Sequence, residues 1–101
     1  MNSTLVMSAE DKAEVMAIID AYLPPDIEVG VFGSRATGQA KPWSDLDLAL
    51  RGPEPVPLET VAKLREAFEV SSLAWKVDIV DRACVSREFD RIIEATVTPI
   101  R

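Results

Sequence analysis

Two carboxylates separated by one residue, Asp45 and Asp47, open the alternating run D-L-D-L-A-L. If this run is a strand, its period of two puts both acids on one face, roughly 6.6 Å apart along the chain, and Leu46, Leu48 and Leu50 on the other. Like charges so placed repel, and a divalent cation would relieve the repulsion. A solvated sheet face is the plainer alternative. A third acid, Asp78, lies in a second alternating run, K-V-D-I-V-D over 76–81, on the same face as Lys76 and Val80. Were the two runs neighbouring strands, Asp78 could complete a cluster holding two Mg²⁺ ions about 3.5–4 Å apart, which clamp the attacking and leaving oxygens of a phosphoryl displacement. The alternative for Asp78 is a strand-edge charge paired with Lys76 or Arg82. Asp81 has the opposite parity and reads as a strand end or turn.

Upstream of these acids, Gly33-Ser34 ends the apolar run I-E-V-G-V-F. Glycine lets the backbone approach a ligand closely, and the amides of the following turn, with the Ser34 hydroxyl, suit an anion such as a phosphate. A tight turn with no ligand explains the same pair. Arg35, Lys41, Lys76 and Arg82 are the nearby cations that could draw in a polyphosphate, some of them simply solvated.

Composition narrows the chemistry further. The 101 residues contain no histidine, which removes Ser-His-Asp and Cys-His catalysis and histidine-ligated zinc. Carboxylates must therefore lead any side-chain chemistry, and a bound metal should be hard, Mg²⁺ or Mn²⁺ before Zn²⁺. With 11 Lys+Arg against 17 Asp+Glu the net charge is −6, a poor match to duplex DNA. No apolar run approaches the roughly 18 residues of a membrane span, and the N-terminus lacks the basic start and apolar stretch of a secretory leader. The single cysteine, Cys84, cannot form an internal disulfide, which points to a reducing compartment, most simply the cytoplasm. Cys84 reads as a small buried residue rather than a nucleophile.

The elements that must position these residues follow from periodicity and punctuation. Residues 1–7 read as a flexible tail, and 8–101 as one domain. Ser8 and Asp11 form a capping-box start, and Val15, Ile18, Ile19 and Tyr22 give a helical core stripe ended by Pro24-Pro25. Strands are expected over 27–32, 46–50 and 75–80, with a short turn or helical turn over 34–38. A helix over 58–70 carries apolar residues at 58, 61, 64 and 68. A last helix capped by Ser86 buries Phe89, Ile92, Ile93 and Val97 and stops at Pro99. The order is α-β-(turn)-β-α-β-α, an α/β (α+β) domain with a small sheet covered by helices. Trp43 could stack on a base or partner or cover its loop, and Trp75 reads as core rim.

The pattern G33-S34-x-x-x-G38, then S44-D45-x-D47-L48, then V77-D78-I79-V80, resembles the DNA polymerase β-type nucleotidyltransferase superfamily. Over about residues 12–98 the chain resembles its minimal nucleotidyltransferases, the MNT proteins, including a C-terminal helix like S-R-E-F-D-R-I-I-E-A-T-V. The resemblance implies a small mixed sheet of the polymerase β-like nucleotidyltransferase fold. It implies that Asp45, Asp47 and Asp78 ligate catalytic Mg²⁺ (or Mn²⁺), and that Asp78 helps deprotonate an acceptor hydroxyl. Gly33, Ser34, Arg35 and Ser44 would bind the nucleotide, ATP in the first instance. Thr37 stands where many relatives carry a second arginine, leaving one fewer cation.

Larger members of the superfamily carry a second domain for the acceptor, and the short chain has no room for one. The resemblance therefore implies a partner, a helical HEPN-type toxin, which the MNT protein neutralises as antitoxin by adenylylating a tyrosine. Two alternatives remain at this stage: a binding module that neutralises its partner stoichiometrically, and a transferase acting on a small molecule such as an aminoglycoside. Charge is uneven. Residues 1–30 hold six acids and one lysine, whereas 31–101 hold 11 acids and 10 bases. The first helix is accordingly expected to be a solvated face or a docking surface for a basic partner.

Overall fold

The computed structural model describes residues 5–101. Helix α1 (Ala9–Tyr22) begins where the Ser8 hydroxyl accepts a hydrogen bond from the Asp11 amide at 3.0 Å, the expected cap, and ends ahead of Pro24-Pro25. Strand β1 (Glu28–Phe32) runs directly into the one-turn helix α2 (Ser34–Thr37). Strand β2 (Leu46–Arg51), helix α3 (Leu58–Glu69) and strand β3 (Val77–Asp81) then form a crossover unit that returns the chain parallel to β2. Helix α4 (Arg87–Thr96) starts on the Ser86 hydroxyl, which accepts from the Phe89 amide, and a two-residue strand β4 (Thr98–Pro99) follows it.

The sheet order is β3-β2-β1-β4, with β1 antiparallel to both of its neighbours. Alternation divides the side chains between two faces. Val29, Val31, Leu46, Leu48, Leu50, Val77 and Ile79 meet Val15 and Ile19 of α1 and Leu64 and Phe68 of α3 in the main core. The three leucines of β2 are fully buried, and each contributes about 1.5–3 kcal/mol through area removed from water. The opposite face is only partly covered. Phe32 and Ala49 pack on Ile93 of α4, and the Phe32 and Phe89 rings meet edge to face with centroids 6.0 Å apart. Asp47 and Asp78 share this second face, Asp47 directly beside Phe32 in the register and Asp78 on the edge strand.

Several expectations need correction. Of the expected tail, residues 1–4 lie outside the described residues, while Leu5 and Met7 pack against the main core, and Val6 donates its amide to the Arg35 carbonyl and accepts from the Arg35 guanidinium. Tyr22, Leu58 and Ile92 are exposed (45%, 84% and 60%), because each helix contacts the sheet along a narrower stripe than its apolar residues cover. Cys84 is exposed, in the turn after β3. The chain beyond α4 adds a strand, β4, that the sequence pattern does not predict. It forms because Gly30 has no side chain: a Cβ there would stand 2.4 Å from Val97 Cγ2. The chain leaving α4 can therefore lie against β1, pairing Gly30 with Pro99 and Val31 with Thr98.

Candidate active site

The second residue of β2, Asp47, is registered opposite Phe32 on one side and Asp78 on the other. Asp45 precedes the strand and is exposed; Asp47 and Asp78 are half-buried. The two runs singled out in the sequence are thus neighbouring strands, and parallel pairing brings the second and third acids level. Burial pushes the Asp47 carboxyl above its ordinary value, and the charges of Asp78 and Asp45 push it further in the same direction. Among the described residues the ion pair within this trio is Lys76 Nζ to Asp78 Oδ1 at 4.0 Å, with the lysine side chain 75% exposed. The negative charge is therefore largely uncompensated. As they stand, no three acidic, histidine or cysteine side chains among the described residues close into a metal-holding group. Strand register joins Asp47 and Asp78 here, not convergence of side-chain oxygens.

Gly33 joins β1 to α2 with φ 76° and ψ −153°, a region essentially reserved for glycine. A Cβ at this position would lie 2.6 Å from Asp47 Oδ2. The Gly33 backbone thus lies against the central carboxylate, which is the close approach that the Gly-Ser pair suggested. The Ala36 and Thr37 amides both return to the Gly33 carbonyl at 3.0 and 3.2 Å. The Ser34 and Arg35 amides precede the first bond of the turn and have no partner within it. Among the described residues no hydrogen bond engages the Ser34 hydroxyl. Thr37 is exposed and donates its hydroxyl to the Ser34 carbonyl at 3.3 Å.

Arg35 departs from its expected role at the nucleotide. It is 3% exposed, and its guanidinium faces the protein. Nε and Nη2 donate to the Ser44 carbonyl at 3.1 and 2.7 Å, Nη2 to the Pro42 carbonyl at 3.3 Å, and Nη1 to the Val6 carbonyl at 2.8 Å. The group also lies over the Trp75 ring, 4.3 Å from its centroid. Desolvation lowers its pKa, while Asp11 and Asp45 act in the opposite sense. Ser44 is likewise engaged in its own loop: its hydroxyl accepts from the Lys41 amide at 2.9 Å, and its amide donates to the Lys41 carbonyl at 3.0 Å. Nothing in the run of residue types marks Arg35 as inward-facing, because the aromatic ring that receives it lies forty positions away at Trp75.

The remaining candidates separate clearly. Arg82 is paired with Asp90 and Glu94 of α4 at 2.6 and 2.5 Å, so it is not available to a polyphosphate. Asp81 accepts from the Val56 and Ala83 amides at 2.7 and 2.9 Å, the strand-end role expected of it. Lys41 is exposed, and Trp43, on the loop ahead of Asp45, is 73% exposed. Trp75 packs at the rim of the main core, as expected. Among the described residues no helix is long and apolar enough to cross a membrane.

Comparison with known proteins adds to this geometry. The nucleotidyltransferase domain family matches residues 13–99. A protein of Haemophilus influenzae named "Probable protein adenylyltransferase MntA" is 42% identical over 93 residues, spanning 89% of this chain and 82% of that protein. Two solved structures share the fold. One, a toxin–antitoxin with AMP-PNP, superposes with a TM-score of 0.72 at 19% identity, over 90% of this chain and 73% of the other. The second is a tri-AMPylated Shewanella oneidensis HEPN toxin in complex with MNT antitoxin. It gives a TM-score of 0.70 at 17% identity, over 94% of this chain and 72% of the other.

Proposed function

The chain belongs to the nucleotidyltransferase domain family, and from that premise we propose that it transfers AMP from ATP to a protein hydroxyl, a tyrosine of a cognate HEPN toxin, and so acts as an antitoxin. The observation that carries the reading is the level pairing of Asp47 with Asp78 beside Gly33, with Asp45 two residues away and little positive charge to offset them. Nearly uncompensated acids on a half-covered sheet face weaken a fold unless something positive binds there.

The donor set suits Mg²⁺. All three groups offer hard oxygen atoms, and no imidazole or thiolate competes. Gly33, with no side chain, also lets the Asp47 carboxylate lie directly against the backbone of the phosphate turn, where a Cβ would stand 2.6 Å from Oδ2. Asp45, Asp47 and Asp78 would hold the ion. When bound, Mg²⁺ supplies charge neutralisation at the triphosphate and polarisation of its α-phosphorus.

The protein's own residues do the rest. The Gly33-Ser34 turn offers its free amides and the Ser34 hydroxyl to the phosphates. Asp78, half-buried on the outermost strand, takes the proton of the acceptor hydroxyl. The hydroxyl oxygen forms its bond to the α-phosphorus as the bond to the bridging oxygen breaks, and pyrophosphate leaves in line. Trp43, exposed beside Asp45, offers a surface for the base or the acceptor. The toxin supplies the acceptor side of the site.

The test is to incubate the chain with α-labelled ATP, Mg²⁺ and the HEPN protein encoded beside it. Label should appear on the partner with wild-type protein and be lost with Asp47→Ala. Absence of label on any protein, with both chains folded, refutes the reading.

A further inference from the structure

We infer that Arg35 is a positioning residue that fixes the spacing between the phosphate turn and the two carboxylate-bearing strands. The inference rests on the reading of Asp45, Asp47 and Asp78 as the metal-holding group. Arg35 stands two residues after Gly33, in the turn that would meet the phosphates. Its two contacts to the Ser44 carbonyl hold the residue immediately before Asp45. Its stack on Trp75 holds the residue three before Asp78, and the next residue, Lys76, receives the Leu46 amide at the start of the β2–β3 ladder, at 2.9 Å. Its bonds to Pro42 and Val6 add the loop crest and the segment ahead of α1, and the Val6 amide returns a bond to the Arg35 carbonyl at 2.7 Å.

One buried guanidinium thus joins four stretches of chain that sequence alone leaves apart. Only arginine suits this position. Its planar fork reaches several carbonyls at once while a flat face stacks on an indole, and a lysine ammonium does neither as well. The loop from Gln39 to Asp45 has no regular secondary structure of its own, so without the guanidinium little besides the Lys41–Ser44 turn would hold Asp45 in place.

The test uses the full chain with Arg35→Lys and, separately, Trp75→Leu. Two readouts do not depend on nucleotide transfer: hydrogen exchange at the Lys41, Ser44 and Leu46 amides, which are all bonded in the structure, and Mn²⁺ affinity by calorimetry. In Arg35→Lys, exchange at the three amides should accelerate about tenfold and Mn²⁺ binding should weaken about tenfold, with AMP-PNP affinity falling only as far as the metal does. Wild-type exchange and Mn²⁺ affinity together with weakened AMP-PNP binding would overturn the inference and return Arg35 to the phosphates. Trp75→Leu removes the ring on which the Arg35 guanidinium stacks, so that its fork is no longer held in place, and carries the test if Arg35→Lys does not fold. Faster exchange at the same amides supports the inference, and wild-type protection refutes it. If the wild-type chain transfers no nucleotide at all, the proposed function fails while these readouts still decide the role of Arg35.

Discussion

Asp47 and Asp78 are direct partners in the register of the parallel strands β2 and β3, so two carboxylates leave the same face of the sheet at the same height. Everything else at the site is arranged around that pair: Gly33 presses its backbone against the first, and the open edge of the sheet borders the second.

The raised pKa of Asp47, due first to burial and then to its two acidic neighbours, has a definite sign. The folded state binds the proton more tightly than the unfolded chain does. Stability therefore falls as pH rises from the ordinary carboxylate range through the raised value. Asp47→Asn should raise Tm at pH 7, and the gain should vanish near pH 3, about one unit below the ordinary carboxylate value. Mg²⁺ should stabilise the wild type but not the variant. Thermal melts across pH, with and without Mg²⁺, check all three; a variant less stable than wild type at pH 7 contradicts the account.

Gly33→Ala should fail in two ways at once. The backbone conformation costs a side-chain-bearing residue about 1–3 kcal/mol, and the new methyl would displace the Asp47 carboxylate. Urea titration should show the stability loss. A kcat reduced well beyond what partial unfolding explains would report the displaced acid.

Much of the site was legible in the sequence, for reasons specific to each residue. Asp47 and Asp78 followed from period-two alternation, which fixes the face a strand residue occupies whatever its neighbours are. Gly33 followed from a glycine closing a strand. The helix starts at Ser8 and Ser86 followed from local capping chemistry. What escaped depended on contacts distant in sequence. The inward turn of Arg35 needs Trp75 and the Val6 carbonyl. The β4 pairing needs Gly30 to be bare where Val97 passes, and two residues ending in proline carry no periodic signal. Tyr22, Leu58 and Ile92 fit their apolar stripes, but only packing decides how wide a stripe the sheet covers.

Arg82 anchors the end of β3 to α4 through Asp90 and Glu94. The Arg82 hydrogen bond and charge hold the Asp90 carboxyl below its ordinary value. This contribution is present above the ordinary carboxylate pKa and is lost as pH falls through the lowered value, the opposite sense to Asp47. Arg82→Ala should lower Tm by a few degrees and move the Asp90 titration upward, which carbon-detected NMR of the carboxyl would show. An Asp90 titration unchanged by the substitution would contradict the assignment.

Trp43 is largely exposed, so Trp43→Ala should leave Tm within about 1–2 °C of wild type. It stands two residues before Asp45, so AMP-PNP with Mg²⁺ should change its fluorescence in a Trp75→Phe background. An unresponsive Trp43 would remove it from the nucleotide side of the site.

The central claim is that this chain neutralises its partner by catalysis rather than by occupancy. The most direct measurement is toxin activity after treatment with one-tenth molar equivalent of this chain, ATP and Mg²⁺, in parallel with Asp47→Asn. Catalysis predicts complete neutralisation by the wild type, a toxin carrying AMP on tyrosine, and no neutralisation by the variant. Neutralisation only at equimolar ratio, equal for both proteins and without modified toxin, would contradict it.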